Sequence, residues 1–383
     1  ATSYFFLLIS RMFLGVVTAA AWPSIASMTG DFVPASERAK FFGLIVAGEL
    51  VGAGIGLLIS GEVSTILDWR WSFYAMALPS AVLFWAVWRY LPEPPRGRQS
   101  RSAVEGGRGR GSHARSRSGA EEAGEPSMRR EVRKFHVPAR PEMIIRQDPT
   151  RRSWLWALGY FLHIPTYDFL VAASALVYFF FAGVRAYGVI YFTSHYQLSR
   201  GVVTALMIVF GLGAIVGVIA GGRLSAWLVR KEYLTARILV PAVALVLAVP
   251  LFGVGIWVRS VWIGMTAITA GAVSLASAIP PIDAARLDIV HPAMWGRAEA
   301  GRMMLRTASE GASPLLFGWV SNLLGGSSGA LMWTFLIMLF PMIAAAGLAW
   351  PARRTYLRDV ATATASIEAT LSEGDQRAGQ GVP

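Results

Sequence analysis

Residues 11–61 read RMFLGVVTAAAWPSIASMTGDFVPASERAKFFGLIVAGELVGAGIGLLISG, two apolar runs joined by a polar elbow at 31–40, with one carboxylate, Glu49, inside the second run. A bilayer demands apolar helices of about 20 residues, because every backbone N–H and C=O must be satisfied within the helix itself. The elbow therefore marks a membrane surface, and Glu49 lies about nine residues beyond it, well inside the apolar run.

Outward from this stretch the same pattern repeats. Apolar runs bounded by charge, Pro or Gly occupy 4–24, 41–61, 71–91, 171–193, 202–221, 236–256, 261–281, 299–322 and 329–350, nine in all. The 383 residues are 54% hydrophobic and 15% charged, with a mean hydropathy of +0.49. That balance excludes a soluble globule and sets the fold class as an all-α polytopic membrane protein. The net charge of +12 sits in bursts of Arg between the runs, so it reads as loop charge rather than a nucleic-acid footprint. With no cysteine, disulfides, thiolate nucleophiles and cysteine metal sites are excluded. His163 and His291 lack the spacing of a metal site, and no nucleophile–base arrangement is present. Neither a metal, a cofactor nor an enzyme activity is expected. Basic residues other than Arg are confined to Lys40, Lys134 and Lys231, the usage of a GC-rich bacterial genome. Ala1 leads almost at once into an apolar run without a charged segment or a cleavage site, so residue 1 reads as a cut inside a longer protein.

Loop charge sets the orientation. One alternating set of loops holds 31–40 with two basic residues, the segment 96–152, 222–237 with four, 286–297 and the tail from Arg353; the other set carries three Arg in total. The positive-inside bias places the first set, and the C-terminus, in the cytoplasm of an inner, plasma-membrane protein. Residues 96–152 are rich in Arg, Gly, Ser and Glu and cannot bury enough apolar surface to offset chain entropy, so most of this linker is expected to be disordered. Its basic residues suit either attraction to anionic headgroups or a purely topogenic role. Residues 153–165, SWLWALGYFLHIP, are too short to span and are expected to lie in the interface.

The elbow recurs. Asp31, Pro34 and Arg38 lead into a helix carrying Glu49, and Asp288, Pro292 and Arg297 lead into one carrying Glu310; a span containing proline, Pro23 or Pro280 and Pro281, precedes each copy. Parallel halves of this kind mark a two-bundle transporter. The chain here resembles the major facilitator superfamily of secondary transporters. Arg11 and Gly15 match the family's fourth-helix Arg-x-x-x-Gly pattern, and Asp31, Pro34 and Arg38 its following loop. Gly48, Gly52, Gly54 and Gly56 match the glycine-rich fifth helix, Trp69-Arg70-Trp71-Ser72-Phe73 and Leu91-Pro92-Glu93-Pro94 bracket the sixth, and Gly221-Gly222-Arg223-Leu224-Ser225 with Arg230-Lys231 matches the loop after the eighth. Ala226 departs from that loop motif, which often has an acidic residue there. The resemblance implies that the nine spans are helices four to twelve of a twelve-helix fold. It divides the chain into 1–95, the remainder of an N-terminal bundle; 96–152, the linker; 153–352, a six-helix C-terminal bundle; and a tail at 353–383. The Gly48–Gly56 run and residues 178–185, YFFFAGVR, are also similar to spinster-like members, associated with lysolipid or sphingoid export.

Charges inside hydrocarbon cost at least about 2.5–3.5 kcal/mol each, so those that persist face a cavity or a partner. Glu49 suits proton binding or a substrate cation, or alternatively a structural hydrogen bond to a neighbouring helix. By the resemblance Arg11 lines the central cavity; it could equally snorkel to headgroups. Arg185, with Tyr187 and Tyr191 nearby in sequence, could bind an anionic headgroup or form an interhelical ion pair. Arg302, Arg306 and Glu310 share one helical face, so Arg306 and Glu310 form either an ion pair or a coupling site. Asp31, Arg38, Asp283, Arg286, Asp288, Arg297 and Arg302 make up an expected cytoplasmic gate. The stripes Gly48/Gly52/Gly56 and Gly213/Gly217/Gly221 allow close helix approach, for sliding or for static packing. Together these imply a monomeric transporter that moves a small organic or lipid-like solute by alternating access, as a proton-coupled exporter among membrane lipids. The competing readings are a sensor or scaffold whose linker docks a partner, and an inert fragment.

Overall fold

The computed structural model describes residues 3–92 and 137–379. They are helical almost throughout, with no strand among the described residues, as an apolar chain with every backbone group to satisfy requires. In order the helices are α1 (Tyr4–Phe32), α2 (Arg38–Ile66), α3 (Trp69–Tyr90), α4 (Trp154–Phe161), α5 (Pro165–Tyr196), α6 (Arg200–Arg230), α7 (Ala236–Trp257), α8 (Val261–Ser277), α9 (Ile279–Ile289), α10 (Trp295–Leu323), α11 (Ser328–Ile337) and α12 (Phe340–Gly379). Sequence signals set many of their ends. The hydroxyls of Ser3, Ser153, Ser199 and Ser327 accept a first-turn N–H of α1, α4, α6 and α11. Pro165 opens α5, where its missing N–H costs nothing.

Among the described residues, eight helical segments are long and apolar enough to cross a membrane. The ninth expected span lies in α10, which has the length, 29 residues, but carries Arg302, Arg306 and Glu310 where the others are apolar. Two expected spans are broken. The first divides at Ala278, between α8 and α9, because Pro280 and Pro281 cannot donate to the preceding turn. The second divides between α11 and α12, just before Pro341. Beyond residue 350 the chain does not leave the fold: α12 runs on through Pro351, with Val360, Ala363 and Ile367 buried.

Of the linker expected at 96–152, residues 96–136 lie outside the described residues. Residues 137–152 form a strap laid against α12 and α10. The amides of Arg140 and Ile145 donate to the hydroxyls of Thr362 and Ser366, each at 3.0 Å. The Arg140 guanidinium also pairs with Asp359 at 3.5 Å. From the far side Arg297 donates to the carbonyls of Pro149, Thr150 and Arg152. Backbone hydrogen bonds to two helices hold this segment where its composition alone could not.

α5 and α10 run alongside each other, joined from Tyr167, whose hydroxyl donates to the Ala298 carbonyl, to Tyr187, which donates to the Pro314 carbonyl. α8 packs on α6 and α7, and α12 on α5 and α7. Of the two glycine stripes only one is packed. A Cβ on Gly217 or Gly221 would overlap the carbonyls of Val273 and Ser277 on α8, whereas Gly48 and Gly52 have no neighbour within 4 Å. Toward the elbow α1 and α2 are pressed on the rest of the molecule, and farther along α2 meets α3, with Gly56 beside Met76. Gly43 lies under the Val218 carbonyl and Gly222 under that of Ala39, while α1 is exposed from Tyr4 to Val17 and buried only from Trp22 to Asp31. The helices are thus closed at the elbow end and apart beyond it.

Candidate functional site

The two elbows of the sequence repeat meet each other. Arg38, at the start of α2, reaches Asp288, at the end of α9, with a 3.3 Å contact, and donates to the Gly30 carbonyl at 3.0 Å. Its guanidinium lies 4.8 Å from the Trp295 ring centre, and that ring fills the space a side chain at residue 30 would need. Arg237 pairs with the other oxygen of Asp288 and donates to the Ala35 carbonyl. Tyr356 of α12 donates its hydroxyl to the same carboxylate at 2.7 Å. Asp31, also buried, acts electrostatically on Arg38. Two guanidiniums and two carboxylates thus balance in a dry site that ties α1–α2 to α7, α9 and α12.

A second buried group lies behind the first. Asp283 accepts from Arg286 at 3.1 Å, Arg286 also pairs with Glu299, and Arg302 pairs with Glu299 at 2.5 Å. Arg302 donates in addition to the Ser174 hydroxyl at 3.0 Å. Here too charge is balanced. Low dielectric strengthens such pairs and penalises any member left alone.

A third group, farther from the elbow, differs. Glu310 accepts from Arg306 at 2.7 Å and from Arg185 at 3.1 Å. The Arg306 guanidinium stacks 3.5 Å from the Tyr178 ring centre. The Arg185 side chain is 67% exposed and that of Glu310 23%. One carboxylate therefore serves two cations beside the space left by α2. Glu49 is exposed on α2 and feels the charges of Arg306, Asp283, Glu310 and Arg185. It makes no hydrogen bond or ion pair among the described residues. Its negative charge has the sign that the Arg185–Arg306–Glu310 group, with one cation in excess, lacks.

Of the sequence-derived candidates, the structure brings together Arg185, Arg306 and Glu310, with Glu49 opposite. Tyr187 stacks on Phe317 at 5.9 Å and its hydroxyl is taken by the Pro314 carbonyl, which fixes the α5–α10 spacing. Arg11 is exposed on α1, apart from the group and without a partner among the described residues. Asp31, Arg38 and Asp288 meet in the first cluster; Asp283, Arg286 and Arg302 in the second. Arg297, expected in the gate, instead anchors the strap. Sequence reading missed Glu299, Ser174, Arg237, Trp295 and Tyr356. Glu299 stands one turn before Arg302, a spacing that could have exposed it; Arg237 reads as loop charge and Tyr356 as tail.

The family model of the Major Facilitator Superfamily matches residues 1–304. The chain belongs to that superfamily. It is an integral membrane protein. The puromycin resistance protein pur8 of Streptomyces alboniger is 37% identical over 91 residues, 24% of this chain and 18% of that protein. The chloroplastic ascorbate transporter of Arabidopsis thaliana is 27% identical over 107 residues, 27% of this chain and 20% of that one. A probable sugar efflux transporter of Helicobacter pylori (strain P12) is 27% identical over 95 residues, 25% of this chain and 24% of that one. The matches to these curated relatives thus span a quarter of their length or less. Among solved structures, a bacterial homologue of the human lysosomal transporter Spinster, inward-facing and occupied, aligns with a TM-score of 0.45 at 16% identity, covering 85% of this chain and 66% of that one.

Proposed function

We propose that the chain works as a secondary active transporter that moves a small organic or amphiphilic solute by alternating access, without enzymatic chemistry, and that Glu49 carries the coupled proton. The observation that carries this reading is the unbalanced group: Arg185 and Arg306 share Glu310, while Glu49, within reach of their charges, makes no bond among the described residues. Protonating Glu49 removes its attraction for the cation pair; releasing the proton restores it. A charge change of that size between two facing helices biases how closely they approach. The neutral elbow clusters supply the other half of the cycle, a closure that must break for the opposite side to open.

Loop charge supports placing the elbow end in the cytoplasm of the plasma membrane, with the C-terminus there too, so the arrangement described opens to the outside. Export is the direction this reading prefers, in keeping with relatives named for puromycin resistance and sugar efflux. The test is flux into proteoliposomes under an imposed pH gradient with puromycin, ascorbate and glucose as probes, comparing the wild type with Glu49→Gln. Gradient-driven flux present in the wild type and lost in the variant is the expected outcome. Flux unaffected by Glu49→Gln would remove the coupling role, and flux of none of the three would remove the solute class they sample.

A further inference from the structure

At the elbow end a surface cavity of about 480 Å³ is lined by Lys40 of α2 and by Arg223, Leu224, Trp227 and Arg230 of α6. The two helices touch here through backbone, Gly222 against Ala39 and Gly43 against Val218, so Lys40 and the arginines come from opposite sides of one seam. Arg223, Trp227 and Arg230 recur at helical spacing and share a face. Among the described residues one carboxylate pairs with these cations: Glu37 takes Lys40 at 3.1 Å and Arg230 at 2.6 Å. Arg223 has no partner among the described residues. The charge is three positive to one negative, unlike the two balanced clusters just inside. Above the cavity, Leu212 and Val216 extend from Leu224 as an exposed apolar stripe on α6, and Phe41 and Leu44 are exposed on α2. Trp227 is 49% exposed where the stripe meets the cations, the position an interfacial tryptophan takes.

We propose that Lys40, Arg223 and Arg230, with Trp227, bind a phosphate-bearing anion at this seam, and that its binding favours the arrangement in which the two elbows are closed. Guanidinium groups pair phosphate oxygens bidentately and an ammonium supplies a point charge. Two excess cations suit one phosphate, and the apolar stripe suits acyl chains above a headgroup. A ligand held by both sides of the seam has differential affinity for the closed arrangement, the one requirement for shifting a conformational equilibrium.

Native mass spectrometry of the full chain in neutral detergent tests the site. Phosphatidylglycerol is expected to be retained and dioleoylglycerol, which lacks the phosphate, is not. With about a kilocalorie's worth of attraction per basic residue, Arg223→Gln weakens retention about fivefold, and Lys40→Gln/Arg223→Gln/Arg230→Gln on the order of a hundredfold. Arg259→Gln, at the other end of the helices, leaves it unchanged. Competition with inorganic phosphate identifies the source: displacement of the lipid points to a free anion as a rival occupant, and none to the lipid headgroup. Because Arg223 has no partner among the described residues, its single variant decides the matter if the triple variant does not fold. Retention that Arg223→Gln and the triple variant leave at the wild-type level would overturn the site. In nanodiscs, amide exchange over 35–43 is expected to be slower with phosphatidylglycerol than with phosphatidylcholine alone; equal exchange would overturn its effect on the seam.

Discussion

At the elbow end, four arginines and four carboxylates are packed with none more than 6% exposed, and each group's charge sums to zero. One helical stretch away, two arginines share Glu310, one of them 67% exposed, while Glu49, exposed on α2, makes no ion pair among the described residues. Both regions use the same residue types, and α2 and α10 contribute to both. The difference lies in how completely the surroundings commit them. A dry, neutral cluster resists any change of charge because each member would be stranded. An open cluster one charge out of balance tolerates a change, and can respond to one.

The largest expected effect is in the second elbow cluster. Glu299→Gln leaves Arg286 and Arg302 without their shared partner, which costs about 3–5 kcal/mol; the unfolding midpoint of the purified chain should fall more than for any other substitution named here. A midpoint near wild type would erase the distinction between the two regions. Next comes Asp288→Asn, which leaves Arg38 and Arg237 facing a neutral amide and loosens the junction of the elbows. In a chain with no native cysteine, a probe at Ser27→Cys, beside that junction, should label faster when combined with Asp288→Asn than alone; equal labelling would mean the elbows are held by other contacts.

The strap gives a smaller effect. Thr362→Val with Ser366→Ala removes the acceptors of the Arg140 and Ile145 amides, at about 1 kcal/mol each. Hydrogen exchange over 137–152 should quicken on the order of tenfold, while unchanged exchange would assign the strap's order to Arg297. The smallest change in stability belongs to Glu310→Gln, whose pairs are partly solvated and worth less than about 1 kcal/mol. Its unfolding midpoint should barely move although transport changes. A loss of stability like that of Glu299→Gln would place Glu310 with the structural clusters.

The helical architecture was legible in residues 11–61, because hydrocarbon permits so few backbone solutions that run length and bounding charge suffice. The elbow repeat was legible too, and the contact between Arg38 and Asp288 gives it physical meaning. The groupings were not. Arg237 and Tyr356 read as solvated because a one-dimensional pattern cannot show that a loop cation and a tail phenol converge on one carboxylate. The run around Gly48 looks in sequence like the run around Gly217, yet only the latter is pressed on another helix. The strap was hidden because it is held through its own backbone amides and carbonyls, groups that carry no side-chain signature.

The central claim is that Glu49, the carboxylate set apart from its counter-charges, is where proton movement meets solute movement. The most direct measurement compares, in proteoliposomes of the wild type and of Glu49→Gln, flux driven by a pH gradient with solute exchange at equal pH on both sides. The account predicts that Glu49→Gln brings gradient-driven flux down to the rate seen without a gradient while exchange continues. Gradient-driven flux at the wild-type level in that variant would contradict it.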